Sequence, residues 1–278
     1  MSAVPTIKLN NGVEIPQLGF GVFQVPPADT AEAVTVALRA GYRHIDTAEM
    51  YGNEKEVGAA IAGSGIDSAE VFVTSKLSNA CHGFDDALAA FDGTLAALGR
   101  PVIDLFLIHW PLPTVTDFVP AWRALERVYA DGRARAIGVS NFQPEHLRRL
   151  AAETEVTPAL NQIELHPYLT QLTVRHADAE LGITTEAWSP IAQGAVLDDP
   201  AIAEIAAARD RTAAQVVLRW HIQLGNVVIP KSVTPARVAE NIDLFGFELS
   251  TEEMARISGL NRNQRTGPDP DVFDWVPR

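Results

Sequence analysis

The sequence predicts an α/β protein built as a closed (β/α)8 barrel, and two observations carry that prediction. Short apolar runs rich in β-branched and aliphatic residues alternate without a break with longer amphipathic runs, the pattern of parallel strands covered on one side by helices. Counting "QLGFGVF" as the first strand brings the tally to the eight units that a closed barrel requires.

The elements follow in order along the chain. "TIKLNNGVEIP" reads as a β-hairpin turning at Asn10, Asn11 and Gly12, placed to plug the bottom of the barrel. After "QLGFGVF", the strands are expected at "YRHID", "VFVTSK", "IDLFLIHW", "RAIGVSN", "ALNQIEL", "ITTEAWS" and "NVVIPKS". Asp29 is expected to cap a helix running through "TAEAVTVALRA" to Gly41, "FDDALAAFDGTLAALG" to run as helix to Gly99, and "TDFVPAWRALERVYADG" to Gly132. "PEHLRRLAAE", "QLTVRHADAELG", "DPAIAEIAAARD" and "TAAQVVLRWHIQLG" continue the helical series. An open doubly wound sheet is the rival architecture. Against it, "GFGVFQ" has two glycines of a G-x-G-x-x-G fingerprint but neither the third nor a helix start. No Gly-, Ser- or Pro-rich linker divides the chain, so residues 1–278 are expected to form one domain with a C-terminal tail near the barrel mouth.

Bulk properties bound the function. With 278 residues, 47% of them hydrophobic, the chain can bury a large core. A formal charge of −13 repels nucleic acid and anionic membranes, so neither is expected as a partner, and a polyanionic ligand needs a local basic cluster. One cysteine, Cys81, excludes an internal disulfide framework, and no metal site is expected. The start "MSAVPTIKLNNGVEIP" lacks the basic and apolar regions of a signal peptide, and no apolar run approaches bilayer length. A cytoplasmic location is therefore expected.

In such a barrel the C-terminal strand ends share one face, where active sites are built. Asp46 and Tyr51 follow the second strand, Lys76 ends the third and His109 the fourth; Ser140 and Asn141 end the fifth; Asn161, Gln162 and Glu164 lie late in the sixth; Trp188 and Ser189 end the seventh, and Lys231 and Ser232 the eighth. Each has a duller explanation taken singly: a solvated lysine, a core histidine bonded to backbone, an aspartate capping a loop, a half-buried tyrosine. Together, four titratable groups at the exits of adjacent strands point to chemistry. A phenol donates a proton near neutrality only if a neighbouring cation favours its ionised form, and Lys76 is placed to do that for Tyr51. The ammonium in turn needs an anion, for which Asp46 is the candidate, and His109 can position a substrate oxygen. Such a set can protonate a carbonyl oxygen, but side chains do not supply the electron pair.

Here the residues resemble a known family. "GYRHIDTAEMYGNE", "VIDLFLIHWP" and "IPKSVTPARVAEN" are similar to the three signatures of the aldo-keto reductases, "GVSNF" and "NQIELHPY" match the segments between, and the likeness is nearest to the bacterial branch that includes 2,5-diketogluconate reductases. The resemblance runs over nearly the whole chain. It implies NADPH-dependent reduction of aldehydes and ketones on a (β/α)8 barrel, with a small-molecule carbonyl as substrate and a monomer as the commonest state. It assigns Tyr51 as proton donor, Lys76 as the group that lowers its pKa, Asp46 as support for Lys76 and His109 as the residue orienting the carbonyl. It implies further that Gly21, Val22, Phe23 and Asp46 flank the cofactor, that Ser140, Asn141 and Gln162 hold the nicotinamide carboxamide, and that the ring stacks on Trp188, beside Ser189. Lys231, Ser232 and Arg237 match the residues around the adenosine phosphate, with Glu240 and Asn241 beside the adenine. A 2′-phosphate on so acidic a chain needs local cations, which favours NADPH over NADH.

Two departures from the family pattern stand out. "KLSNACHG" puts Ser78 where a Trp usually lines the pocket, which is expected to widen it or admit water. The tail "NRNQRTGPDPDVFDWVPR" is rich in Pro and Asp; Phe273 and Trp275 are expected to fold back onto the rim, with a disordered tail as the alternative. Phe23, Met50, His109 and Trp110 complete the expected wall of the substrate pocket. Two other functions compete with the reductase: a Schiff-base aldolase with Lys76 as nucleophile, and a non-catalytic sensor that keeps the cofactor site.

Overall fold

A computed structural model of the protein describes residues 4–277. Strands β1 (Thr6–Lys8) and β2 (Glu14–Pro16) form the N-terminal hairpin, turning through Asn10 to Gly12. The eight parallel strands are β3 (Phe20–Gly21), β4 (His44–Asp46), β5 (Phe72–Leu77), β6 (Ile103–Ile108), β7 (Ala134–Ser140), β8 (Leu160–Glu164), β9 (Thr184–Trp188) and β10 (Val227–Val228), each paired with its neighbours in sequence. The first and last strands close the ring: Gly19 N donates to Val228 O at 2.9 Å, Val228 N to Gln17 O at 3.0 Å and Gly21 N to Pro230 O at 3.1 Å. All eight strands lie where the apolar runs place them, and the open doubly wound sheet is excluded.

Among the described residues ten helices surround the strands: α1 (Pro27–Ala40), α2 (Glu54–Gly63), α3 (Phe84–Leu98), α4 (Val119–Ala130), α5 (Pro144–Glu153), α6 (Leu172–Glu180), α7 (Pro200–Arg209), α8 (Ala213–Gln223), α9 (Pro235–Ile242) and α10 (Thr251–Ser258). Asp29 does not cap α1. The cap position is Pro26, with Pro27 at the first helical position, so Asp29 sits inside the first turn where its charge still suits the helix dipole. α2, α9 and α10 were not legible from periodicity, although Ser250 and Glu253 form a capping box at the start of α10.

The two-residue period of the strands explains the interior. Near the bottom, Phe72, Leu105, Ala136, Leu160 and Val227 meet Leu9 and Ile15 of the hairpin, so the hairpin does plug the barrel. Two residues further up, the inward positions become polar: His44, Thr74, Gln162 and Glu186 are all buried, and β8 pairs Gln162 with Glu186 of β9. Another two residues up lie Asp46, Lys76, Ser140, Glu164 and Trp188, at the mouth. The outward positions, among them Ile45, Val73, Phe106, Ile108, Ile137 and Ile163, belong to the large core shared with the helices. Gly138 is required where β7 crosses β8, because a Cβ there would meet Leu160 O at 2.5 Å.

Candidate active site

The exits of β4, β5 and β6 bring four predicted groups together. Lys76 Nζ donates to both carboxylate oxygens of Asp46, at 2.7 and 2.8 Å, to Thr47 O at 2.9 Å and to the Tyr51 hydroxyl at 3.4 Å. Tyr51 ends a short 3-10 turn, Glu49–Tyr51, which lifts its ring over the Lys76 ammonium, 5.0 Å from the ring centroid. The His109 ring stands edge-on to the phenol with centroids 5.6 Å apart, and Phe23 closes the other side at 5.0 Å.

Burial sets the protonation states. Removal from water would lower the Lys76 pKa, but Asp46 and Tyr51 outweigh it and hold the ammonium above its ordinary value. His109 is held well below the usual histidine range by burial and by the Lys76 charge, so it is neutral. For Tyr51, burial pushes the phenol up to about 12, against the downward pull of Lys76. The expected lowering by Lys76 is thus present as one contribution, and desolvation exceeds it. The phenol keeps its proton through the physiological range.

On the far wall, Asn141 adopts a left-handed backbone (φ 65°) and serves as a junction. Its Nδ2 donates to His109 O at 3.0 Å and to Ser140 Oγ at 3.1 Å, while its Oδ1 accepts from Trp188 Nε1 at 2.9 Å. Ser140 Oγ donates to Gln162 O at 2.8 Å. Gln162 Nε2 lies between two carboxylates, 2.8 Å from Asp46 Oδ2 and 2.8 Å from Glu186 Oε2, leaving its carbonyl as the group free to meet an amide ligand. Gly21 and Val22 are buried at the end of β3, Asp46 is shared between the two sets, and Ser189 follows Trp188 with φ 46°.

A second polar cluster lies after β10. Lys231 and Arg237 are exposed, and among the described residues neither takes part in an ion pair. They flank the start of α9, where Thr234 supplies no side-chain cap and Ser232 Oγ accepts from Thr234 N at 3.2 Å. Unpaired cations beside an uncapped helix start suit a phosphate. Glu240 accepts from Thr212 Oγ1 at 2.7 Å, and Asn241 is buried one residue on.

The tail folds back over the rim, as expected. Glu164 accepts from Thr266 N at 2.5 Å, Thr266 Oγ1 at 2.6 Å and Gly267 N at 3.1 Å, with His166 Nε2 3.1 Å away. Gly267 lies against Trp188 so closely that a Cβ would approach the indole to 2.5 Å. Further on, Phe273 stacks on Trp110 with centroids 4.3 Å apart, and Trp275 O accepts from Asn79 Nδ2 at 2.9 Å. Asn79 adjoins Ser78, so the tail reaches the side of the pocket where the family's Trp is missing. Met50 is half-buried beside Tyr51, and Trp275 itself stays 53% exposed. The role of Glu164 as the tail's anchor was missed in the sequence, because its partners lie about a hundred residues away.

Fold and site together define a (β/α)8 barrel with Asp46, Tyr51, Lys76 and His109 clustered at its C-terminal mouth and two exposed cations, Lys231 and Arg237, beside it. The chain belongs to the aldo/keto reductase family, whose description matches residues 17–262. It is 50% identical over 284 residues to morphine 6-dehydrogenase of Pseudomonas putida, covering 97% of this chain and 96% of that protein. It is 48% identical over 267 residues to glyoxal reductase of Bacillus subtilis (strain 168), covering 96% of each. Among solved structures, a Gox0644 mutant in complex with NADPH matches with a TM-score of 0.95 at 44% identity, covering 99% of this chain and 100% of that one.

Proposed function

We propose that the protein is an NADPH-dependent carbonyl reductase that converts small aldehydes and ketones to alcohols, acting as a single-domain cytoplasmic monomer. The observation that carries this reading is the Tyr51 hydroxyl held 3.4 Å from Lys76 Nζ, which is itself clamped on Asp46. NADPH, when bound, supplies the hydride that these side chains lack. Tyr51 gives its proton to the carbonyl oxygen as negative charge develops there, and Lys76 stabilises the phenolate left behind. His109 is neutral and its Nδ1 is buried without a hydrogen-bond partner, which leaves Nε2 to donate to the same oxygen and fix its position. Asp46 keeps Lys76 charged. Trp188, tied to Asn141, offers its face to the nicotinamide, and the Gln162 carbonyl can accept from the carboxamide.

The same geometry disfavours an aldolase. A Schiff-base lysine must become a free amine, whereas Lys76 is held protonated by a bidentate carboxylate and a backbone carbonyl. The rings of Phe23 beside Tyr51 and of Trp110 and Phe273 on one another support an apolar pocket, so α-dicarbonyls, aromatic aldehydes and keto sugars are the classes to test. Among the described residues no helix is long and apolar enough to cross a membrane.

NADPH oxidation followed by absorbance with methylglyoxal, phenylglyoxal, an aromatic aldehyde and a diketo sugar acid should show turnover with at least one of them. Tight NADPH binding with no turnover on any would favour the sensor reading instead. Arg237→Ala and Lys231→Ala should each weaken NADPH by about tenfold or more while changing NADH by less than about threefold, since a charge-assisted hydrogen bond contributes about 1.5–3 kcal/mol. Equal losses for both cofactors, measured by fluorescence titration, would place the 2′-phosphate elsewhere.

A further inference from the structure

The interior layer beneath the site contains a titratable group that the mechanism above does not use. Glu186 is fully buried on β9. Its Oε2 accepts from Gln162 Nε2 at 2.8 Å, and the same nitrogen donates to Asp46 Oδ2 at 2.8 Å, so a single amide links the two carboxyl groups. The Glu186 Oε1 atom has no hydrogen-bond partner, and among the described residues no Lys or Arg pairs with it. The group closest to a counterion is His44, whose Nε2 stands 3.9 Å from Oε1 and 3.0 Å from Thr74 Oγ1. Burial keeps that histidine neutral, its pKa brought down to about 3, with Lys76 acting in the same direction.

The groups facing Glu186 are therefore few. β4 contributes His44 and Asp46, β5 contributes Thr74 and Lys76, β8 contributes Gln162, and the turn after β4 contributes Tyr51. β10 pairs Val227 with Glu186 and brings no charge. Lys76 is the one cation in this set, and Asp46 already neutralises it. An ionised Glu186 would be a second buried anion with no cation of its own, an arrangement that costs several kcal/mol and is ordinarily relieved by taking up a proton.

We propose that Glu186 is a positioning residue for the Asp46, Lys76 and Tyr51 set: protonated while the enzyme reduces its substrate, it sets an alkaline limit on reduction when it ionises. The inference rests on the assignment of Tyr51 as proton donor. The physical route is electrostatic. A negative charge on Glu186 opposes formation of the Tyr51 phenolate and so makes Tyr51 a weaker acid. Burial, reinforced by the Asp46 charge, pushes Glu186 up to about 8, which puts the transition inside the measurable range. Tyr51, at about 12, and His109, well below the histidine range, titrate outside it.

The test is the pH profile of kcat/KM for reduction of one carbonyl, in the wild type and in Glu186→Gln, which mimics the protonated carboxyl in shape and charge. The wild type should lose about tenfold between about pH 7 and about pH 9.5, whereas Glu186→Gln should lose less than about twofold over the same range. Glu186→Asp, which restores an ionisable group, should restore the limb. A merely structural glutamate would give profiles of the same shape in all three. As a readout independent of activity, the infrared spectrum of the wild type should show near neutrality a buried protonated carboxyl band that is absent from Glu186→Gln and disappears as the pH is raised; the comparison with Glu186→Gln separates it from Asp178, which burial raises to about 7. The proposal is overturned by an unchanged limb in Glu186→Gln, by a wild-type profile without a limb, or by absence of the band. Full turnover in Tyr51→Phe would instead remove the proton-donor assignment on which it rests, so the two failures are distinguishable.

Discussion

Tyr51→Phe is expected to lower kcat for NADPH-dependent reduction by about a hundred- to ten-thousand-fold, the range typical for removal of a general acid, with NADPH affinity changed by less than about twofold. The substitution is narrow. The ring contacts with Phe23 and His109 remain, and Lys76 keeps its bonds to Asp46 and Thr47 O, so only one hydroxyl is removed from a site that is otherwise intact. In the proposed mechanism that hydroxyl is the acid that gives up a proton to the developing alkoxide: His109 is neutral, so its N–H can donate a hydrogen bond but is too weak an acid to transfer its proton, and Lys76 is locked by Asp46. Steady-state turnover combined with quenching of Trp188 fluorescence on NADPH binding separates the two effects. Turnover within about tenfold of the wild type would mean that solvent or His109 delivers the proton. Equal losses of turnover and of cofactor affinity would mean that Tyr51 acts chiefly as a wall.

Much of this site was legible in the sequence, because a barrel aligns strand ends whatever else it does. Once "YRHID", "VFVTSK" and "IDLFLIHW" are read as parallel strands, Asp46, Lys76 and His109 must emerge on one face. What the pattern could not give is depth. Glu186 in "ITTEAWS" alternates with apolar neighbours like a solvent-facing residue of a half-buried sheet, and only closure of the ring turns that face inward. His44 is ambiguous for the same reason. The tail presents another difficulty: Glu164 and Thr266 are about a hundred residues apart, and no local periodicity announces a clasp made of backbone N–H groups. The net pKa of Tyr51 was likewise out of reach, since pairing with Lys76 can be inferred from residue types while the desolvation that exceeds it depends on how tightly the rim closes.

Lys76→Met is expected to have two separable consequences. It removes the cation beside Tyr51, so turnover should fall by about a hundredfold or more, and it leaves Asp46 as a buried carboxylate without its partner, which should cost about 3–5 kcal/mol of stability. The double variant Asp46→Asn/Lys76→Met discriminates between these effects. Asn at position 46 carries no charge to strand and can still accept from Gln162 Nε2, so stability measured by denaturant unfolding should recover by at least about 2 kcal/mol relative to Lys76→Met. Turnover should not recover, because the phenolate formed at Tyr51 would still lack a neighbouring cation. If turnover returned with stability, Lys76 would be a structural counterion to Asp46 and the acidity of Tyr51 would have another source. If neither returned, the stranded Asp46 charge would not be the cost, and because Met preserves the packing of the lysine stem the loss would lie in the Lys76 hydrogen bond to the buried Thr47 carbonyl, which both variants lack.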